Sequence, residues 1–196
     1  MPIGVSHKTG GMMRCCLALL VAWLVACNPL YAAQPVGEKP RNLVAEKEAW
    51  EGTWVHGEGA ITVAVTDAEQ GRMQIAWFEK KQAALVPSVY DVELRTFDKS
   101  TFASVKDRES GRYVFARVET KDRQIVVYVP KVAAWMRVLR DKQVPNTLKP
   151  ALPGGRSESE ATLGPLSSKD LAFITASERA YLFLADPPTA FIKVTK

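Results

Sequence analysis

Residues 61–78 read ITVAVTDAEQGRMQIAWF, and this stretch decides the fold class. Ile61, Val63 and Val65 alternate with Thr62 and Ala64, the period-two pattern of a strand with one apolar face. Asp67 to Gly71 is a cluster of turn-formers. Beyond it, Met73, Ile75 and Trp77 lie on one side of a second strand running from Arg72 to Phe78. So short a connection makes the two strands antiparallel neighbours.

The same grammar continues toward the C-terminus. Tyr90, Val92 and Leu94 alternate with Asp91, Glu93 and Arg95, a half-buried strand with a wet outer face. Asp98 to Ser100, Asp107 to Arg112 and Lys121 to Arg123 are turns, separating strands at 101–106, 113–119 and 124–129 before Pro130 stops the last. The result is a β-meander of six or seven strands. A meander of this length has edges to protect, and closure into a barrel removes them.

After Pro130 the period changes. Val132, Trp135, Met136 and Leu139 follow helical spacing within residues 131–142, with Arg137, Arg140 and Lys142 left for water. Residues 145–166 hold four Pro and three Gly and read as a long loop with at most one short strand. Ser167-Ser168-Lys169-Asp170 has the form of a capped helix start, the helix running to about Ser177. Residues 190–195 supply a final strand that closes or extends the sheet. The expected fold is mainly β, an antiparallel meander forming a barrel or strongly curved sheet, with two short helices in the C-terminal third.

Upstream of the meander the chain changes character twice. Lys8 and Arg14 lie in a first stretch free of acids, and residues 17–26 (LALLVAWLVA) are uninterruptedly apolar. A positive region, a short apolar run and small residues after it make a secretory signal peptide. Ten apolar residues span about 15 Å as a helix, half of a hydrocarbon core of about 30 Å, too short for a permanent anchor. Translation starts at Met1, Met12 or Met13. All three cysteines, Cys15, Cys16 and Cys27, fall in this segment, so the exported body has no cysteine for a disulfide, metal or nucleophilic site. Residues 34–49 are polar, with two Pro and mixed charge, and read as a tether.

Leu24-Val25-Ala26-Cys27 closes the apolar run and resembles the lipobox of bacterial lipoproteins. The resemblance implies lipidation of Cys27 and cleavage before it. It divides the chain into a signal peptide (1–26), a lipidated N-terminus and tether (27–49) and a barrel-like domain (50–196). Asn28 in place of Asp after the cysteine favours, by the same resemblance, the outer membrane. The alternative is cleavage near Ala33, giving a soluble periplasmic protein. Gly52-Thr53-Trp54, ahead of the meander, resembles the Gly-x-Trp opening of lipocalins and the Gly-Thr-Trp opening of avidin-like barrels. That resemblance implies Trp54 packed across a barrel floor and Gly52 allowing close backbone passage. The later Thr-Asp-Tyr-type motif of lipocalins is absent, and Lys193 and Lys196 stand where those proteins carry an Arg. Residues 50–194 as a whole resemble an uncharacterised group of proteobacterial lipoproteins with this meander, a helix and a short returning strand. No activity is implied.

The residues carry no reaction signature. His56 is the body's single histidine, beside Gly57 and Gly59, and reads as a turn residue, since metal sites and triads need partners. No nucleophile elbow, phosphate loop or HExxH pattern is present, and GTWVHGEG lacks dinucleotide-fingerprint spacing. Asp91 and Glu93 share a strand face as glycosidase carboxylates do, but an exposed meander face accounts for them. The chain carries 26 basic and 21 acidic residues, a formal +5, less positive charge than a nucleic-acid binder concentrates. Residues 106–142 hold ten Lys or Arg against five Asp or Glu, interspersed as on a solvated face.

Arg117 has two readings. With Tyr113 and Phe115 inside, it is a ligand clamp for a carboxylate or phosphate. With Val114, Ala116 and Val118 inside, it is exposed. The expected function is a non-enzymatic envelope lipoprotein binding a small apolar or amphiphilic ligand in its barrel, without a cofactor. Trp77 and Arg117 are the ligand-binding candidates, and the membrane is reached through the N-terminal lipid. The competing class is an interaction or structural module with a filled barrel, meeting another envelope protein.

Overall fold

The computed structural model describes residues 30–57, 59–81, 84–121, 123–150, 158–183 and 188–194. The segment read as a signal peptide and Cys27 lie outside these residues.

Eight strands form a closed antiparallel barrel: β3 (Gly52–His56), β4 (Gly59–Asp67), β5 (Arg72–Lys81), β6 (Ala84–Phe97), β7 (Ser100–Lys106), β8 (Tyr113–Lys121), β9 (Gln124–Tyr128) and β12 (Thr189–Lys193). Strands β3 to β9 are the meander. The last, β12, inserts between β3 and β9, pairing Ile192 with Val55 and Phe191 with Ile125. Pairing of β8 with β9 completes the circle. Alternation decides which side chains enter. Ile61 and Val63, Met73, Val92 and Leu94, Val118, Ile125 and Phe191 are buried in one cluster within the barrel.

The two ends of the barrel differ. At one, the tight turns after β4, β6 and β8 gather beside helix α1 (Lys47–Trp50), which brings buried Trp50 against the interior as a floor. The other end carries the β3–β4, β5–β6 and β7–β8 connections and is the mouth.

Strands β7 and β8 bury side chains on both faces because a second core covers their outside. Phe102 and Phe115 point outward into it. There Trp135 of α2 (Val132–Arg140) meets Phe115 edge-on at 5.7 Å and Phe183 at 5.5 Å. The Trp135 indole N–H donates to the Leu182 carbonyl at 3.0 Å. Helix α3 (Ser168–Thr175) begins where its sequence places it: the Ser167 hydroxyl and Asp170 carboxylate form a reciprocal capping box. A 3-10 helix (Ser177–Phe183) carries Leu182 and Phe183 into the same core.

Two expectations are corrected. Residues 145–166 are not a loop with at most one strand; β10 (Asn146–Pro150) and β11 (Glu158–Leu163) form an antiparallel hairpin. Pro153, Gly154 and Gly155 fall between the strands and Pro145, Pro150, Gly164 and Pro165 at strand ends, while Ala161 and Leu163 are buried in the second core. Nor is the segment read as a lipidated N-terminus and tether (27–49) free over its described residues, 30–49. Strand β1 (Leu30–Ala32) lies between β11, to which it is parallel, and β8, to which it is antiparallel. The chain then crosses the outside of the barrel, where Val36 N–H donates to the Ser104 hydroxyl. Arg95 grips the passing backbone through the Gly37 carbonyl at 3.0 Å and the Glu38 carbonyl at 2.8 Å. After β2 (Lys39–Pro40) pairs with β6, buried Leu43 leads into α1. The physical reason is four apolar side chains, Leu30, Ala32, Val36 and Leu43, spaced so that each reaches a core. No helix among the described residues is long and apolar enough to cross a membrane.

Candidate functional site: the barrel interior

The barrel is not filled. An apolar cavity of about 110 Å³ remains inside it, walled by residues such as Val63, Ile75, Ala103, Ala116 and Phe191, with Trp50 at the floor. Small side chains at Ala103 and Ala116 leave this space, because neighbouring inward positions carry Val, Ile or Leu. A dry cavity of this order holds a small apolar molecule rather than water.

The floor is tied by polar groups kept outside the cavity. The Trp54 indole N–H donates to the Trp50 carbonyl at 2.9 Å, and Trp54 is 1% exposed. Lys193, on the strand that closes the barrel, holds its ammonium 5.3 Å from the Trp54 ring centroid and donates to the Glu48 carbonyl. Gly52, at φ +124, lies so close to this side chain that a Cβ would stand 3.2 Å from Lys193 Cε. Arg41 sits over Trp50 at 5.8 Å and pairs with Glu46 at 2.7 Å, and its hydrogen bond holds the Glu46 carboxyl below the usual range.

Toward the mouth, Trp77 occupies the inward position one step beyond Ile75. It is 5% exposed and fills the barrel above the cavity without forming its wall. Its indole N–H is buried with no acceptor among the described residues. Gly59 makes the space for this ring, since a Cβ there would come within 2.6 Å of Trp77 Cη2. The glycine's role was hidden in sequence, because Gly59 is only diagonal to Trp77, whose direct partner on β4 is Ile61. His56 ends β3, its Nδ1–H donating to the Ala190 carbonyl at 2.9 Å and its ring 5.5 Å from Phe191. It is a wall residue, and no group of potential metal ligands occurs among the described residues.

Arg117 is on the outside. Val114, Ala116 and Val118 face the interior, and the Arg117 guanidinium lies 4.7 Å over the Tyr128 ring and 3.4 Å from Glu119. The structure therefore separates Arg117 from the cavity, and Trp77, though inward, is not among its lining residues. Asp91 lies on the outer face, bonded to Gln74 at 3.0 Å, and Glu93 is paired with Arg95 at 2.9 Å. Neither faces the interior.

No family model, curated protein or solved structure matches this chain. The closed eight-stranded barrel is compatible with a lipocalin-like fold; the chemistry of the interior must be argued from its own residues.

Proposed function

We propose that the protein is a non-enzymatic envelope lipoprotein, anchored through Cys27, that binds a small apolar or amphiphilic molecule in its barrel. The observation that supports this most is the unfilled apolar cavity of about 110 Å³. Stability alone favours a filled barrel, because each missing methyl-sized volume costs about 1 kcal/mol. An apolar end of a ligand enters this space without losing hydrogen bonds. Two polar groups belong to this inward face: Tyr90, a lining residue, carries a hydroxyl, and the buried Trp77 indole N–H, without an acceptor among the described residues, suits a carbonyl, ether or carboxylate. Titrating the purified protein with hexanol and octanoate, read by tryptophan fluorescence, tests the reading. Saturable binding that Ala103→Leu weakens at least tenfold is expected. No binding to either protein contradicts it.

A specific observation favours the second reading, an interaction module. Ile192 pairs with Val55, Val55 with Ala60 and Ala60 with Phe78, so one outer row runs across four strands. Ile192, Val55 and Phe78 are 53, 37 and 40% exposed, and Val89 and Val194 extend the band. A contiguous exposed apolar band of this kind marks a contact surface. Val55→Lys/Phe78→Lys should leave ligand titrations unchanged under the first reading and abolish co-purification of an envelope partner under the second.

A further inference from the structure

The two sites at which an export leader of this chain can be cut leave different proteins behind, and the structure discriminates between them. Cleavage beside Ala33 removes β1. That strand is the link between the β10–β11 hairpin and the barrel: the strand order runs β10, β11, β1, β8. Its three residues pair with Ala161, Thr162 and Leu163 on one side, and Ala32 also pairs with Tyr113 on the other. Leu30 is 0% and Ala32 2% exposed, both within the second core. Tyr31 faces outward beneath Arg112, whose guanidinium lies 3.9 Å over the ring while gripping Glu160 of β11. Even the next residue is committed, since Ala33 N–H donates to the Leu163 carbonyl at 2.8 Å. A chain beginning at Gln34 would expose apolar surface on both flanks and leave strand edges on β8 and β11 unpaired.

We infer that the mature chain keeps Leu30–Ala32, so that export processing cuts N-terminal to Leu30 and never beside Ala33. This rests on the reading of residues 1–26 as an export leader, and it assigns Leu30–Ala32 to the domain rather than to the discarded peptide. If the cut precedes Cys27, only Asn28 and Pro29 separate the lipidated residue from β1. Three residue steps at about 3.6 Å reach no more than about 11 Å. The side sheet of β1, β10 and β11 then lies against the bilayer, and the exposed apolar band, on the opposite wall of the barrel, faces away from it.

The test is the N-terminus of the protein accumulated from the full chain in a Gram-negative host, read by intact mass and N-terminal peptide mapping. Cys27 carrying acyl mass is the expected result and supports both the retained strand and the anchor. Any other cleaved N-terminus at or before Leu30 supports the retained strand and contradicts the lipid anchor, whereas an unprocessed Met overturns the leader on which the inference rests. A folded protein beginning at Ala33 or Gln34 overturns the inference. Leu30→Asp in the full chain supplies the second measurement: a melting temperature lowered by about 10 °C or more is expected, and an unchanged one overturns the inference by showing β1 dispensable.

Discussion

Gly71 is where backbone conformation and close packing coincide. It has φ +64, and a Cβ there would stand 2.6 Å from the Arg41 carbonyl and 2.7 Å from the Leu94 carbonyl. Gly71→Ala should therefore destabilise by about 2 kcal/mol or more, measured by urea unfolding, because strain and collision add. The Arg112–Glu160 pair carries a pH signature. Two hydrogen bonds, at 2.5 and 3.1 Å, hold the Glu160 carboxyl below its ordinary value. A group lowered on folding contributes stability that is present above its unfolded value, about 4.3, and lost as pH falls through the folded value. Both side chains are about a quarter exposed, so solvent screening limits the contribution to about 1 kcal/mol at neutral pH. Glu160→Gln should cost that much at pH 7, and the difference from the native protein should shrink below about pH 4, as followed by unfolding across pH.

Among the elements, legibility tracked how locally each is specified. Strands β4 and β5 repeat every second residue and are joined by a short turn, and β6 alternates over 90–95, so alternation assigned their inner faces, although the start of β6 at Ala84 was not legible. Helix α3 announced itself through Ser167 and Asp170, and Ser167→Ala should cost about 1 kcal/mol in thermal or chemical unfolding. Strands β1, β2 and β10 were illegible for the opposite reason. They are two to five residues long, too short to show a period, and the partners of β1 and β2 lie far along the chain. Leu30 pairs with Ala161 across more than a hundred residues, and its position next to the segment read as a leader disguised it further. Strand β8 shows an intermediate case. Tyr113, Phe115 and Val114, Ala116, Val118 are apolar on both sides, and only the second core outside the barrel explains why. That two-sided burial left the orientation of Arg117 open in sequence.

For the molecule as a whole, the barrel could be inferred from a meander that needs closure, whereas the space inside it could not. Interior volume depends on how Trp50, Trp77 and Phe191 enter from three different strands or helices, and no local pattern encodes that sum. Trp77→Ala should enlarge the cavity toward the mouth and speed ligand release at least tenfold, with a stability loss of about 3 kcal/mol; stopped-flow release of a bound fluorescent probe measures the first and unfolding the second. The central claim, that the interior carries a small apolar ligand, is tested most directly by native mass spectrometry. The protein is purified without detergent as a form that lacks Cys27 and its lipid but retains β1, beside its Ala103→Leu variant. A reproducible bound mass, released on denaturation and lost in the variant, is the predicted result. A clean apo mass in the native protein, under conditions that preserve weak complexes, would contradict it.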